Sequence, residues 1–143
     1  MALKIIDHGT EEYQQMVRLR DAILRRPLGL SFTEEELEEE KDNLLIAAYE
    51  DRQLMGCCML VEEEPDSVRL RQMAVVKDLQ GKGLGRALLT FAENLARDRG
   101  YKKICMHARK NALGFYEKLG YRTTGEEFLE LGIPHFLMEK NLQ

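Results

Sequence analysis

Gln80-Gly81-Lys82-Gly83-Leu84-Gly85 sets three glycines at alternate positions, with Lys82 inside the run and Arg86 directly after it. Without a Cβ, such a backbone takes φ > 0 freely and lets a ligand approach closely. Successive N–H groups in a turn of this kind converge on an anion, and a helix starting there adds the positive end of its dipole. These residue types at this spacing would hold a phosphate or pyrophosphate. The plain alternative is a glycine-rich turn with no ligand. Two better-known phosphate motifs are excluded. The spacing is not that of the dinucleotide fingerprint G-x-G-x-x-G, and no G-K-[ST] occurs, so this is not a P-loop.

The other reactive side chains point to less. Cys57, Cys58 and Cys105 are odd in number and form no C-x-x-C pair, which argues against a disulfide frame or a structural zinc site. They lie in apolar strands and read as small hydrophobes. We expect a reduced, cytoplasmic protein without a metal. Arg69 and Arg71 share a strand face: either they line a pocket for an acidic group, or they form a solvated, ion-paired face. Arg18, Arg20, Arg25 and Arg26 pose the same question around the first helix. His8 falls in an N-terminal turn and reads as surface.

The chain that must position these residues has 143 residues, which suits one domain with a real core. Its 44% apolar and 32% charged residues fit a globular protein. No apolar run nears the ~20 residues of a membrane span, and the start MALKIIDHGT lacks the pattern of a signal peptide. The net charge of −4 belongs to one segment: residues 34–42 hold seven acids and one base, and the rest has 20 bases against 18 acids. That segment reads as a solvated helix face capped by Thr33. No basic stripe interleaved with aromatics appears, so nucleic acid is not an expected partner.

Periodicity supplies the elements. LKII is a strand, and Thr10 caps a helix over 11–23 in which Arg20 interrupts the apolar stripe. Strands follow over 43–49 and 53–61, with Glu50-Asp51-Arg52 as their hairpin turn and 62–67 as a loop. In the strand over 68–76, Val68 and Leu70 share one phase, Met73 and Val75 the other. A slip of one residue predicts a β-bulge near Gln72 or Met73. Leu84, Ala87, Leu88, Phe91 and Leu95 then form the stripe of an amphipathic helix ending near Gly100. Strand 102–107, helix 112–119 and strands 121–128 and 136–140 complete the order β-α-α-β-β-β-α-β-α-β-β, a mixed α/β fold.

MAVVKDLQGKGLGRALL followed by ARKNALGFYEKLGYRTTG resembles the GNAT superfamily of acyl-CoA-dependent N-acyltransferases, over about half the chain. The run Phe128-Leu129-Glu130-Leu131-Gly132-Ile133-Pro134-His135 is similar to that of a small bacterial subgroup. The resemblance implies a GNAT-like fold, an α/β domain with a mostly antiparallel sheet splayed at the bulge, as a single N-acetyltransferase domain over 1–143. It implies acetyl-CoA as cosubstrate and direct attack of a primary amine on the thioester, through a tetrahedral intermediate. The amides of Gln80, Gly81, Lys82, Gly83, Leu84, Gly85 and Arg86 would hold the pyrophosphate. Met73, Ala74 and Val75 would pair with the pantetheine arm, and one of their N–H groups would hold the oxyanion. Asn111 would contact the pantetheine or the bound diphosphate arm, and Tyr116 would lie near the sulfur as general acid.

Many protein-acetylating members carry a Glu base on the bulged strand; Arg69 stands at that position here. His107 and His135 are the substitute candidates, because a neutral imidazole suits removal of an ammonium proton. Each has a purely structural reading, and a water relay could replace both. In a helix starting near Ala112, Phe115 and Leu119 would face the core, with Tyr116 at the edge of that face. The resemblance also implies a small-molecule or peptide amine as substrate, no membrane and a homodimer. The competing reading is an acyl-CoA-binding sensor without turnover, and a third is a purely structural domain.

Overall fold

The computed structural model describes all residues, Met1–Gln143. Seven strands hydrogen-bond in the order β1-β2-β3-β4-β5-β7-β6. They are β1 (Ala2–Ile6), β2 (Leu44–Glu50), β3 (Gln53–Glu64), β4 (Ser67–Val75), β5 (Lys103–Arg109), β6 (Arg122–Glu130) and β7 (Ile133–Asn141). The helices are α1 (Glu11–Arg20), α2 (Glu34–Glu38), α3 (Leu84–Asp98) and α4 (Leu113–Lys118). β4 and β5 run parallel, while the pairs β1–β2, β2–β3, β5–β7 and β6–β7 are antiparallel. The expected element order holds throughout. The chain divides into two compact units, Met1–Val61 with Gln72–Ala92, and Glu62–Arg71 with Glu93–Gln143.

In the first unit, both predicted caps form. Thr10 Oγ1 accepts from Tyr13 N, and Thr33 makes a full capping box with Glu36. The core joins Ile6, Tyr13 and Met16 to Leu45, Ala47, Cys57, Met59 and Ala74. Asp51 and Arg52 both take positive φ, as the tight turn between β2 and β3 requires. Past Arg20 the helix does not continue to Ile23 in α form. Asp21–Arg25 is a π-turn and Arg26–Leu28 a 3₁₀ turn, a change of pitch that an apolar stripe one turn long does not reveal.

Arg20 is turned fully inward, where Nη1 and Nη2 donate to the two oxygens of buried Glu40 at 2.7 and 2.6 Å. Tyr13 Oη donates to the same carboxylate at 2.7 Å. The acidic segment is therefore only partly a solvated face: Glu40 anchors a core arginine, and Glu36 pairs with Arg25 at 3.0 Å. Burial is offset at Glu36 by hydrogen bonds from Arg25 and Thr33, which hold its carboxyl below the usual range. His8 is half-buried rather than surface, with Nε2 donating to Leu37 O at 2.8 Å.

In the second unit, residues 62–67 are not a loop. β3 runs on to Glu64 and β4 begins at Ser67, leaving Pro65 and Asp66 as the turn. Three successive glutamates read as loop by composition, but Tyr101 Oη donates to Glu62 at 2.7 Å and Arg69 pairs with Glu63. Buried Glu93 gathers Tyr121 Oη at 2.7 Å and Lys140 Nζ at 3.2 Å. Burial and that carboxylate push the Tyr121 phenol far up. Along α3, Leu84, Leu88, Leu89 and Ala92 of the first unit and Ala96 of the second are buried; Ala87, placed on the stripe by periodicity, is exposed.

Candidate functional site

In the first unit, Gln72 sits mid-strand with φ 57°, in the left-handed region, where the phase slip predicted a bulge. Cys57 Sγ donates to Gln72 O at 3.7 Å across the strands. This thiol is structural: full burial pushes it up to about 12. Beyond the bulge, Gln80 Nε2 donates to Val75 O at 3.1 Å and ties the glycine loop to the strand end. Val76 N donates to Met55 O at 3.0 Å, which closes that end onto β3.

The loop itself carries two glycines at positive φ, Gly81 at 77° and Gly83 at 91°. A Cβ at either would meet nothing within 4 Å. Gly83 O accepts from Ala87 N at 3.0 Å, so Gly83 is the N-cap of α3. A helix leaves its first N–H groups without internal partners, and a Ser, Thr or Asp at the cap would answer one of them. Glycine answers none. The N–H groups of Leu84, Gly85 and Arg86 open the first turn, with exposed Lys82 and Arg86 beside them. The cradle therefore fits an anionic group. Gly56 seats it, because a Cβ there would stand 3.1 Å from both Leu84 and Leu88. An open groove of about 580 Å³ lies beside the same strand end, lined by Leu19, Ala22, Ile23, Arg26, Pro27, Val76 and Lys77.

The second unit holds the other candidates. Asn111 is exposed on a 3₁₀ turn before α4. The Tyr116 ring stands edge-on to Phe115 at 5.0 Å and to Tyr121 at 5.9 Å, so the Glu93-anchored Tyr121 backs it. Phe115 does not face the core as expected. It is 43% exposed, because α4 begins at Leu113 and is six residues long.

His135 is not in a loop. Leu131 and Gly132 alone make the turn, at φ 53° and 76°, and β7 starts at Ile133. Pro134 suggests a break, yet as the second residue of its strand it is accommodated. β7 pairs with both β5 and β6, opposing His135 to Arg109 and Phe128. His135 Nδ1 donates to Ile133 O at 2.7 Å, which leaves Nε2 as its lone-pair nitrogen, 3.6 Å from Glu130 Oε2.

His107, on β5, carries the same tautomer for another reason. Its Nε2 lies 3.3 Å from Arg69 Nη1, which can only donate. Nδ1 therefore holds the proton and donates to Glu130 Oε1 at 2.9 Å. Phe128 packs edge-on to His107 at 5.1 Å and stacks on His135 at 5.9 Å. Arg69 Nε is 2.9 Å from Glu63 Oε1, an ion pair whose N–H is not aimed at the oxygen. Burial opposes charge on Glu130, but the hydrogen bond and field of His107, with His135 and Arg71, hold its carboxyl below the usual range. The side chains of the two histidines differ in access, with His107 29% exposed and His135 7%.

Glu130 and Phe128 were quoted in the sequence motif without a role. Their two-residue spacing puts them on one face of a strand, and the Leu-Gly turn brings His135 back across from them. That much was readable. The side chain of Arg69 reaching His107 was not, because it depends on the parallel pairing of β4 with β5.

The acetyltransferase (GNAT) domain model matches residues 25–142. The chain is 27% identical to the uncharacterized N-acetyltransferase YjcF of Bacillus subtilis (strain 168), over 96% of this chain and 98% of YjcF. Two further curated relatives from that organism match at 40% and 34% identity, where the chain spans about half their length, 49% and 51%. A crystal structure from Lactobacillus plantarum superposes with a TM-score of 0.88 at 28% identity, with both chains covered in full. The structure of an aminoglycoside 6'-N-acetyltransferase complexed with coenzyme A gives a TM-score of 0.85 over 100% of this chain and 98% of that one. Its 18% identity makes that likeness one of fold.

Proposed function

The chain belongs to the acetyltransferase (GNAT) domain family, and from that premise we propose that it is a single N-acetyltransferase domain moving an acetyl group from acetyl-CoA to a primary amine. One observation carries the reading most: glycine at the N-cap of α3 leaves the N–H groups of Leu84, Gly85 and Arg86 for an external anion. In this reading residues 80–86 bind the pyrophosphate, and Met73, Ala74 and Val75 present backbone to the pantetheine arm. Asn111 contacts that arm. Acetyl-CoA supplies the thioester carbonyl that the amine attacks. The groove lined by Leu19, Ala22, Ile23 and Pro27 supports an acceptor with an apolar body. Amine-dependent release of thiol from acetyl-CoA tests the reading.

Arg69 stands at the strand position where many protein-acetylating members carry a Glu base, so the base is sought elsewhere. Both rings carry the lone pair on Nε2, and His107 is our choice over His135 because its side chain is the more exposed. Arg69 must turn away from Nε2 before that atom takes the ammonium proton. The partly exposed Arg69 side chain, already paired with Glu63, has a second partner to turn to.

Tyr116 is the proposed general acid, because coenzyme A leaves as a thiolate and departs better when given a proton. Tyr116→Phe keeps the ring against Phe115 and Tyr121 and removes the hydroxyl. Acetyl-CoA affinity should hardly move, and kcat should fall by roughly ten- to a thousandfold. An unaltered kcat with chemistry rate-limiting would leave Tyr116 a packing residue.

The family resemblance also implies a homodimer. Leu129 and Leu131 are exposed at the β6–β7 turn and offer an apolar patch. Light scattering at micromolar concentration should return twice the 16.6 kDa of one chain; a monomer mass contradicts this.

A further inference from the structure

We propose that Glu130 is a positioning residue: it holds the His107 imidazole as the Nδ1–H tautomer and so presents Nε2 as the proton-accepting atom. The proposal rests on His107 as the base. Two neighbours independently require the same tautomer. Arg69 Nη1 stands 3.3 Å from Nε2 and cannot accept, so a proton on Nε2 would set N–H against N–H. Glu130 Oε1, 2.9 Å from Nδ1, accepts the proton that the first contact puts there.

Once Arg69 turns aside, Glu130 alone decides the tautomer. A carboxylate at that distance also stays in contact when Nε2 takes a proton and the ring becomes an imidazolium. His135 takes the same tautomer from a backbone acceptor rather than from a carboxylate. Its Nδ1 is committed to Ile133 O, and its Nε2 reaches Glu130 only at 3.6 Å. Phe128, edge-on to one ring and stacked on the other, limits rotation of both imidazoles. Glu130 itself has a side chain 44% exposed, so it fills no core volume that a smaller residue would leave empty.

The experiment pairs nitrogen-15 NMR of the His107 ring with steady-state kinetics, on the full chain carrying Glu130→Ala or Glu130→Gln. Exposed Glu126→Gln serves as control, and thermal melts check folding. The neutral His107 ring should be Nδ1-protonated in the wild type and in Glu130→Gln, whose amide oxygen still accepts. Glu130→Ala should lower kcat about ten- to a hundredfold, an order of magnitude taken from partners that orient metal-bound histidines, and in an Arg69→Ala background, where Arg69 no longer holds Nε2, it should mix the two tautomers. The KM for acetyl-CoA should stay within about twofold, and Glu130→Gln should recover most of kcat. A folded Glu130→Ala with the wild-type kcat, or an Arg69→Ala/Glu130→Ala protein whose His107 stays Nδ1-protonated, overturns the proposal. So does equal loss in Ala and Gln variants without a change of tautomer. His107→Ala at full rate overturns the base reading and this proposal with it. An enzyme that needs His107 but not Glu130 overturns this proposal alone.

Discussion

Gly83→Asp should abolish the stabilisation that acetyl-CoA is expected to give the wild-type protein. At about a hundred times its dissociation constant, a ligand bound only by the folded state adds ~2.7 kcal/mol. The substitution acts twice on the cradle. The new carboxylate can accept from the first-turn N–H groups of α3, taking the donors an anion would use. It would also set a negative charge beside the pyrophosphate of the proposed cosubstrate. A Cβ at Gly83 meets nothing within 4 Å, so no neighbour is displaced. The φ of 91° does impose strain on any L-residue, on the order of 1–2 kcal/mol. Gly83→Ala shares that strain without the charge. The comparison is therefore of ligand-induced melting shifts, not of absolute melting temperatures. The alanine variant should keep a measurable shift and the aspartate variant none. An undiminished shift in a folded Gly83→Asp protein would remove the pyrophosphate from this loop.

Glu40→Ala should cost about 3–5 kcal/mol of stability, the range for stripping one partner from a buried ion pair. The Arg20 side chain has 0% exposure, and both of its terminal nitrogens depend on Glu40. Its Nε already lacks a partner, so nothing nearby can replace the carboxylate. Tyr13 Oη loses its 2.7 Å acceptor at the same time. Burial works against the charge on Arg20, and it is the hydrogen bonds and field of Glu40 that outweigh it and hold the guanidinium above its usual range, so removing Glu40 leaves the burial cost uncompensated. The expected fall in melting temperature is roughly 10 °C for a chain of this size. Arg20→Met combined with Glu40→Leu should recover most of it, because apolar replacement of the whole pair avoids the uncompensated charge. A loss below about 1 kcal/mol in Glu40→Ala would show that water reaches the arginine and that the pair is not closed.

Much of the fold was legible because it depends on local signals. Thr10 and Thr33 cap the helices they were expected to cap, and the phase slip in β4 falls where Gln72 adopts φ 57°. The positive φ of Gly81 and Gly83 ahead of α3 was legible for the same reason: alternate glycines before an amphipathic stripe need only backbone geometry to explain them. What was missed depends on pairing across the chain. Arg20 looked like a polar break in an apolar stripe, and its partner Glu40 lies 20 residues on, inside a run of acids that composition marks as solvated. Pro134 suggested a loop, but a two-residue turn at Leu131 and Gly132 puts His135 on a buried strand between two neighbours. Phe115 followed helical periodicity inward only on paper, since a helix of six residues need not bury a whole face.

The central claim is transfer of an acetyl group to an amine, and thiol release with mass analysis across a panel of amines tests it most directly. The panel takes small amines, amino acids, polyamines and peptides with free N-termini, each with acetyl-CoA and the full chain. Free coenzyme A thiol should appear only when an accepted amine is present, with that amine gaining one acetyl group. Tight binding of acetyl-CoA with no amine-dependent thiol across the panel would contradict it and leave a protein that holds the cosubstrate without using it.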